Sequence, residues 1–123
     1  MAATRADRTG TTRAPGTDVR GRLDALLLAV IEDGPVHGYA IVERLRDRTD
    51  GAVALEGGTL YPALRRLEES GLVEGTWTQA SGRRRRVYAL TAPGAAALNG
   101  ERGAWRDFVR TLGSVLDGPP TPG

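Results

Sequence analysis

Cysteine is absent from the 123 residues, which excludes disulfides, thiolate metal sites and a cysteine nucleophile. Histidine occurs once, as His37, so one chain cannot assemble a multi-histidine metal site. Lysine is missing too: all 17 basic residues are arginine, against 15 acidic ones. Arginine presents a planar fork of donors that suits phosphates and guanine edges. A GC-rich genome produces the same bias, so the argument rests on where the arginines sit. Aromatics make up 5% of the chain, and each is worth locating. No apolar segment of signal-peptide type opens the sequence. The longest strongly apolar run, residues 25–31, is too short to span a bilayer. The expectation is a cytoplasmic protein without membrane contact, cofactor or metal.

What is present suggests one domain with a modest core that a partner could share. Residues 1–18 are rich in Thr, Ala, Gly and Arg and lack periodicity. They read as a disordered tail. Arg5, Arg8 and Arg13 have the composition of a DNA-touching arm, but a solvated tail is the favoured reading. Leu23, Leu26, Leu27, Val30 and Ile31 then recur at helical spacing and mark a buried first helix. Asp33-Gly34-Pro35 stops it. Residues 36–48 predict a second helix with Tyr39, Ile41, Val42 and Leu45 on its apolar side. The third helix is expected to start with Thr59 as N-cap and Pro62 in its first turn, and to end before Gly71. A hairpin follows: a strand over 72–78, a turn over 79–82 and a return strand over 83–90. Thr91 caps a last helix that runs to about Leu116. The order predicts a mainly α fold with a β-hairpin wing. This is a winged helix-turn-helix over 19–91, a long dimerisation helix over 92–117 and a short disordered tail over 118–123.

Two segments carry chemistry. On a helical wheel Leu60, Leu64 and Leu67 of the third helix cluster on one side. Tyr61, Pro62, Arg65, Arg66 and Glu69 fall on the others. A helix with leucines inward and Tyr and Arg outward can lie in a major groove, although any solvated amphipathic helix shares that pattern. Its N-terminal amides at Thr59 and Leu60 suit a phosphate. The second segment is Arg83-Arg84-Arg85-Arg86. On a hairpin these alternate, so each face carries two like charges. A phosphate backbone alongside offsets their repulsion. An edge-protecting charge cluster is the plain alternative, but the position directly after a recognition-like helix favours DNA.

His37-Gly38-Tyr39-Ala40-Ile41, Gly58-Thr59-Leu60-Tyr61-Pro62-Ala63-Leu64, Arg66-Leu67-Glu68 and Gly71-Leu72 together resemble the signature of PadR-type regulators. Tyr88-Ala89-Leu90-Thr91, with Gly94 and Leu98, resembles the end of their wing. The likeness covers about residues 20–116, and the single terminal helix looks like that of the small subfamily. The resemblance implies a dimeric repressor that binds a roughly palindromic double-stranded operator and releases it when a small aromatic or drug-like ligand binds. It puts Thr59, Tyr61, Pro62 and Arg65 in the recognition helix, with Arg66 beside them, and Arg83, Arg84, Arg85 and Arg86 in the wing.

In the last helix Leu98, Trp105 and Leu112 are seven apart, with Phe108 and Val115 between and beyond them. Val109 and Leu116 widen this apolar stripe, while Glu101 interrupts it. Such a face packs on the chain's own first helix or on a second chain. The resemblance implies both, with a homodimer built on Leu98, Trp105, Phe108, Leu112 and Val115. It also implies that Trp105 lines an aromatic ligand cavity at the dimer centre, where a plain interface anchor is the alternative. His37, without a metal or catalytic partner, is expected to be structural. A rival function is a winged helix used for protein contacts alone, against which the four arginines argue. An enzyme would need a nucleophile with its base, a metal set or a phosphate loop, and Gly57-Gly58-Thr59 lacks the lysine of such a loop. Whether a regulator represses or activates is not written in these residues.

Overall fold

The computed structural model describes residues 19–119. The expected N-terminal tail with Arg5, Arg8 and Arg13, and residues 120–123, lie outside the described residues. Helix α1 (Val19–Ile31) is apolar around much of its circumference. Leu27, Leu28, Val30 and Ile31 are all at most 2% exposed, so it runs through the middle of the core. It stops where Gly34 takes a φ of 123°, which L side chains rarely adopt, and Pro35 follows.

The second helix starts later than the sequence suggests. Val36 and His37 form a short strand, β1 (Val36–His37), opposite Tyr88 and Val87 of the wing. Helix α2 (Gly38–Arg48) begins only after it. His37 is extended, and its Nδ1 accepts from the Ala40 N–H at 3.4 Å. A helix N-cap is thus the local role of the lone histidine. A two-residue strand is invisible to periodicity, because it is held by a partner about fifty positions away.

Helix α3 (Gly57–Glu69) starts before Thr59, with Glu56 as N-cap and no side-chain capping bond. The Thr59 and Leu60 amides donate to the Glu56 carbonyl, both at 2.9 Å. Thr59 is therefore a helical residue, not the cap, and Pro62 lies inside the helix, past its first turn. The low helix propensity of Gly57 and Gly58 hides that opening turn in the sequence. Leu60, Ala63, Leu64 and Leu67 face the core.

Strands β2 (Val73–Ala80) and β3 (Arg83–Leu90) pair antiparallel from Val73↔Leu90 out to Ala80↔Arg83. The turn is only Ser81-Gly82, with φ of 53° and 74°. Gln79 and Ala80, expected in the turn, are paired strand residues. A two-residue turn with both φ positive matches the twist of the strands. The sheet order is β1-β3-β2.

Helix α4 (Ala92–Leu116) opens on Thr91, whose Oγ1 accepts from the Gly94 N–H at 3.0 Å and donates to the Gly71 carbonyl at 2.6 Å. Its first turns join the core through Gly94 and Leu98. The fold is mainly helical, with a three-stranded antiparallel sheet and a long last helix. Among the described residues no helix is long and apolar enough to cross a membrane.

A Cβ added at Gly94 would collide with the Leu72 carbonyl oxygen. That carbonyl already accepts from the Thr91 N–H at 3.2 Å and cannot swing away. At Gly100, inside the same helix, nothing stands within 4 Å. Gly94→Ala is expected to destabilise the fold by about 1–3 kcal/mol. Gly100→Ala should stabilise it by about 0.5–1 kcal/mol. Thermal melts of the two variants check this; equal melting temperatures would contradict the close approach of α4 to Leu72.

Candidate nucleic-acid interface

The exposed residues of α3 fall into two groups. Thr59, Tyr61, Pro62 and Arg65 are exposed, and Arg65 makes no ion pair with another described residue. Arg66 is also exposed, but its guanidinium donates to Asp24 of α1 at 2.9 Å. Tyr61 is 49% exposed, and its ring lies over Gly38 at the start of α2. A Cβ at Gly38 would stand 2.7 Å from the Tyr61 hydroxyl. The Gly of the His-Gly-Tyr segment is thus the seat on which the α3 tyrosine rests.

The wing has two unlike faces. The register places Gly75, Trp77 and Gln79 opposite Tyr88, Arg86 and Arg84, on the face that continues into the core through Val73 and Tyr88. Thr78 and Ala80, opposite Arg85 and Arg83, share the other face. Arg83, Arg84 and Arg85 are exposed and make no ion pair with another described residue. Arg86 differs from them. It donates to the Glu68 carboxylate of α3 at 2.6 Å, with both side chains mostly covered. The pair lies against the β2 backbone at Gly75, where a Cβ would come within 2.5 Å of Glu68 Oε2 and 2.9 Å of Arg86 Nε. The Glu68 hydrogen bond raises the Arg86 pKa further above its already high value. Burial, and then the Glu68 charge, push the Tyr88 phenol above its ordinary value. Arg84 lies 4.4 Å and Arg86 5.4 Å from the centre of the Trp77 ring.

These elements enclose a cleft of about 550 Å³ between the start of α2, the start of α3 and the wing. His37, Tyr39, Tyr61, Trp77 and Arg83 to Arg86 line it. The structure therefore brings Tyr61 together with the wing arginines. Sequence reasoning missed Glu68, Gly75 and Trp77 here. A two-residue turn at Ser81-Gly82 would have aligned Trp77 with Arg86 and exposed the arrangement.

The stripe on α4 divides. Leu98 is 2% exposed and belongs to the chain's own core, not to an outer face, because the first turns of α4 pack on α1 and the sheet. Farther along, Trp105 is 46%, Leu112 43% and Val115 75% exposed, and Val109 and Leu116 stay exposed beside them. Phe108 is half-buried, its ring centre 5.7 Å from that of Trp105. Trp105 also lines a groove of about 490 Å³ between α1 and α4, with Ala25, Leu26, Ala29 and Leu98 as its apolar wall. Two ion pairs flank that groove: Arg22 with Glu101 at 2.7 Å, and Arg102 forked onto Glu32 at 2.8 and 3.0 Å. The Arg102 bond holds the Glu32 carboxyl below its usual range.

Comparison with known proteins places this arrangement. The model of the Transcriptional regulator PadR-like family matches residues 27–100. The transcriptional regulator Rv3488 of Mycobacterium tuberculosis is 38% identical over 80 residues, 65% of this chain and 72% of that protein. A PadR-like transcriptional regulator from Bacillus cereus matches in structure with a TM-score of 0.72 at 28% identity, covering 82% of this chain and 97% of that one. Bacillus subtilis PadR, solved in complex with operator DNA, matches with a TM-score of 0.59 at 20% identity over 81% of this chain and 50% of that one, a likeness of fold.

If Gly75 is the seat of the Glu68–Arg86 pair, Gly75→Ala must displace it. The atoms a Cβ meets are the ends of flexible side chains, so the fold should survive with a melting shift within about 4–8 °C. Hydrogen exchange at Arg86 Nε and at the hairpin amides should accelerate. Unchanged protection of Arg86 would contradict the arrangement.

Proposed function

Because the chain belongs to the PadR-like family of transcriptional regulators, we propose that it binds a double-stranded DNA operator as a homodimer and represses transcription from it. Members of the family are transcriptional regulators, not enzymes. The observation that carries the reading is the shared cleft. Tyr61 of α3 and the arginines of the wing line one concavity from two elements, as a recognition helix and its wing must to straddle one duplex. Tyr61 and Arg65 address base edges in the major groove, and Thr59 and Pro62 approach the backbone at the helix start. Arg83, Arg84 and Arg85 meet phosphates, with Arg86 behind them. The unit that does this is the winged helix-turn-helix of residues 19–91, and α4 joins two such units.

The exposed apolar row Trp105, Val109, Leu112, Val115 and Leu116 supports the homodimer, since a face of that character is stable in water only when covered. The groove beside Trp105 supports a small aromatic ligand that releases the operator: its wall is largely apolar, and one of the two helices that form it carries the exposed apolar row. The protein then works in the cytoplasm, where its operator lies.

Titration of operator and scrambled duplexes at several salt concentrations tests the DNA reading. Arg83→Ala/Arg84→Ala should weaken both duplexes together. It should lower the salt slope by about one unit for each phosphate no longer gripped, twice over in a dimer. Arg65→Ala should cost about 1–3 kcal/mol per half-site on the operator and relax preference at one base pair. A double variant with wild-type affinity and slope on both duplexes would remove the wing from DNA binding. Sedimentation tests the dimer: the full chain should run at twice its monomer mass, and Leu112→Glu should run as a folded monomer. A monomeric wild-type chain at micromolar concentration contradicts it.

A further inference from the structure

We infer that Trp77 is a positioning residue that holds Arg84 ready for a DNA phosphate, an inference that rests on the duplex-binding reading above. Trp77 is 56% exposed on the wing, outside the core cluster, so burial does not account for a large aromatic there. Its ring instead carries the Arg84 guanidinium at 4.4 Å. Arg84 makes no ion pair with another described residue. A long side chain with so many rotamers would otherwise have to be ordered at the moment of binding.

The choice of an aromatic partner matters chemically. A carboxylate beside Arg84 would occupy its N–H donors and cancel its charge. A ring offers a π face and no carboxylate, so it leaves the full charge of Arg84 for a phosphate. Trp77 has a second cationic neighbour. It stands directly opposite Arg86 in the strand register, and Arg86 lies 5.4 Å from its ring centre. Arg86 is fixed in turn by Glu68 of α3 at 2.6 Å. The row Glu68, Arg86, Trp77, Arg84 thus runs from the recognition helix to the outer part of the wing. It sets where the Arg84 cation stands relative to that helix. The acid at its root neutralises Arg86 and leaves Arg84 charged.

Two measurements test this on the full chain. The first needs no DNA. Trp105→Phe leaves Trp77 as the only tryptophan of the two, and adding Arg84→Ala should change its emission; unchanged emission overturns the stacking. The second is a double-variant cycle on one duplex selected by the wild-type protein. Trp77→Leu keeps the net charge, so affinity should fall about two- to five-fold per wing while the salt slope stays at its wild-type value. Trp77→Tyr should recover part of the loss. In an Arg84→Ala background Trp77→Leu should have no further effect. A Trp77→Leu loss that persists in that background would mean the ring touches DNA itself and overturns the proposal, as would no loss at all. A wild-type chain that binds no duplex overturns the duplex reading and this proposal together, whereas binding without the coupling overturns only the proposal.

Discussion

One partly buried ion pair joins the wing to α3 beside the core that both share. Glu68 on α3 receives a hydrogen bond from Arg86 on β3, and both side chains lie on bare backbone at Gly75 of β2. Three elements meet there, and each supplies something the others cannot: a carboxylate, a guanidinium and the absence of a side chain. A hairpin that projects from a small core has little apolar packing to hold its angle, because Trp77 and the residues of both strands beyond it are exposed. A charge-assisted hydrogen bond with restricted solvent is directional enough to do so. Gly38 plays the matching part on the other side of the cleft, where it makes room for Tyr61. The core that α3 and the wing share through Leu64, Leu67, Val73 and Tyr88 is thus supplemented, farther out, by one ion pair seated on a glycine.

Helix α4 shows a similar division of labour along its length. Its N-terminal part is core: Thr91 caps it against Gly71, Gly94 touches the Leu72 backbone, and Leu98 is sealed. The Arg22–Glu101 and Arg102–Glu32 pairs then tie it to α1 and to the end of that helix. Beyond them most of the apolar residues find no cover among the described residues, and Trp105 marks the crossing point, lining the α1–α4 groove while keeping 46% of its surface open. In the proposed dimer, anything that moves α4 against α1 at this point also moves the two winged units relative to each other.

Much of the architecture was legible because it follows local rules. The leucine stripes gave the helices, Gly34-Pro35 and Gly71 gave their ends, and Thr91 gave the last cap, as the structure has them. The segments that misled are those held by distant partners or weak local preference. Val36 and His37 read as helix because their strand partner is the wing. Gly57 and Gly58 concealed the first turn of α3, and with it the true place of Thr59 and Pro62. The site was legible as residue types and not as pairings. The four wing arginines looked equivalent in sequence, yet one is bound to Glu68, one rests on Trp77, and the other two alternate with them along the strand. Leu98 looked like the first rung of an interface because heptad spacing does not reveal where a helix leaves the core.

In the proposed function, α3 and the wing of two chains address one duplex together. Selection of binding sites from a random duplex library by the full-length protein tests it most directly. The expected result is enrichment of a two-fold symmetric sequence whose half-sites are centred about one helical turn, roughly 10 base pairs, or a multiple of it apart. A selected pool with no enriched sequence, or with a single unpaired half-site, would contradict it.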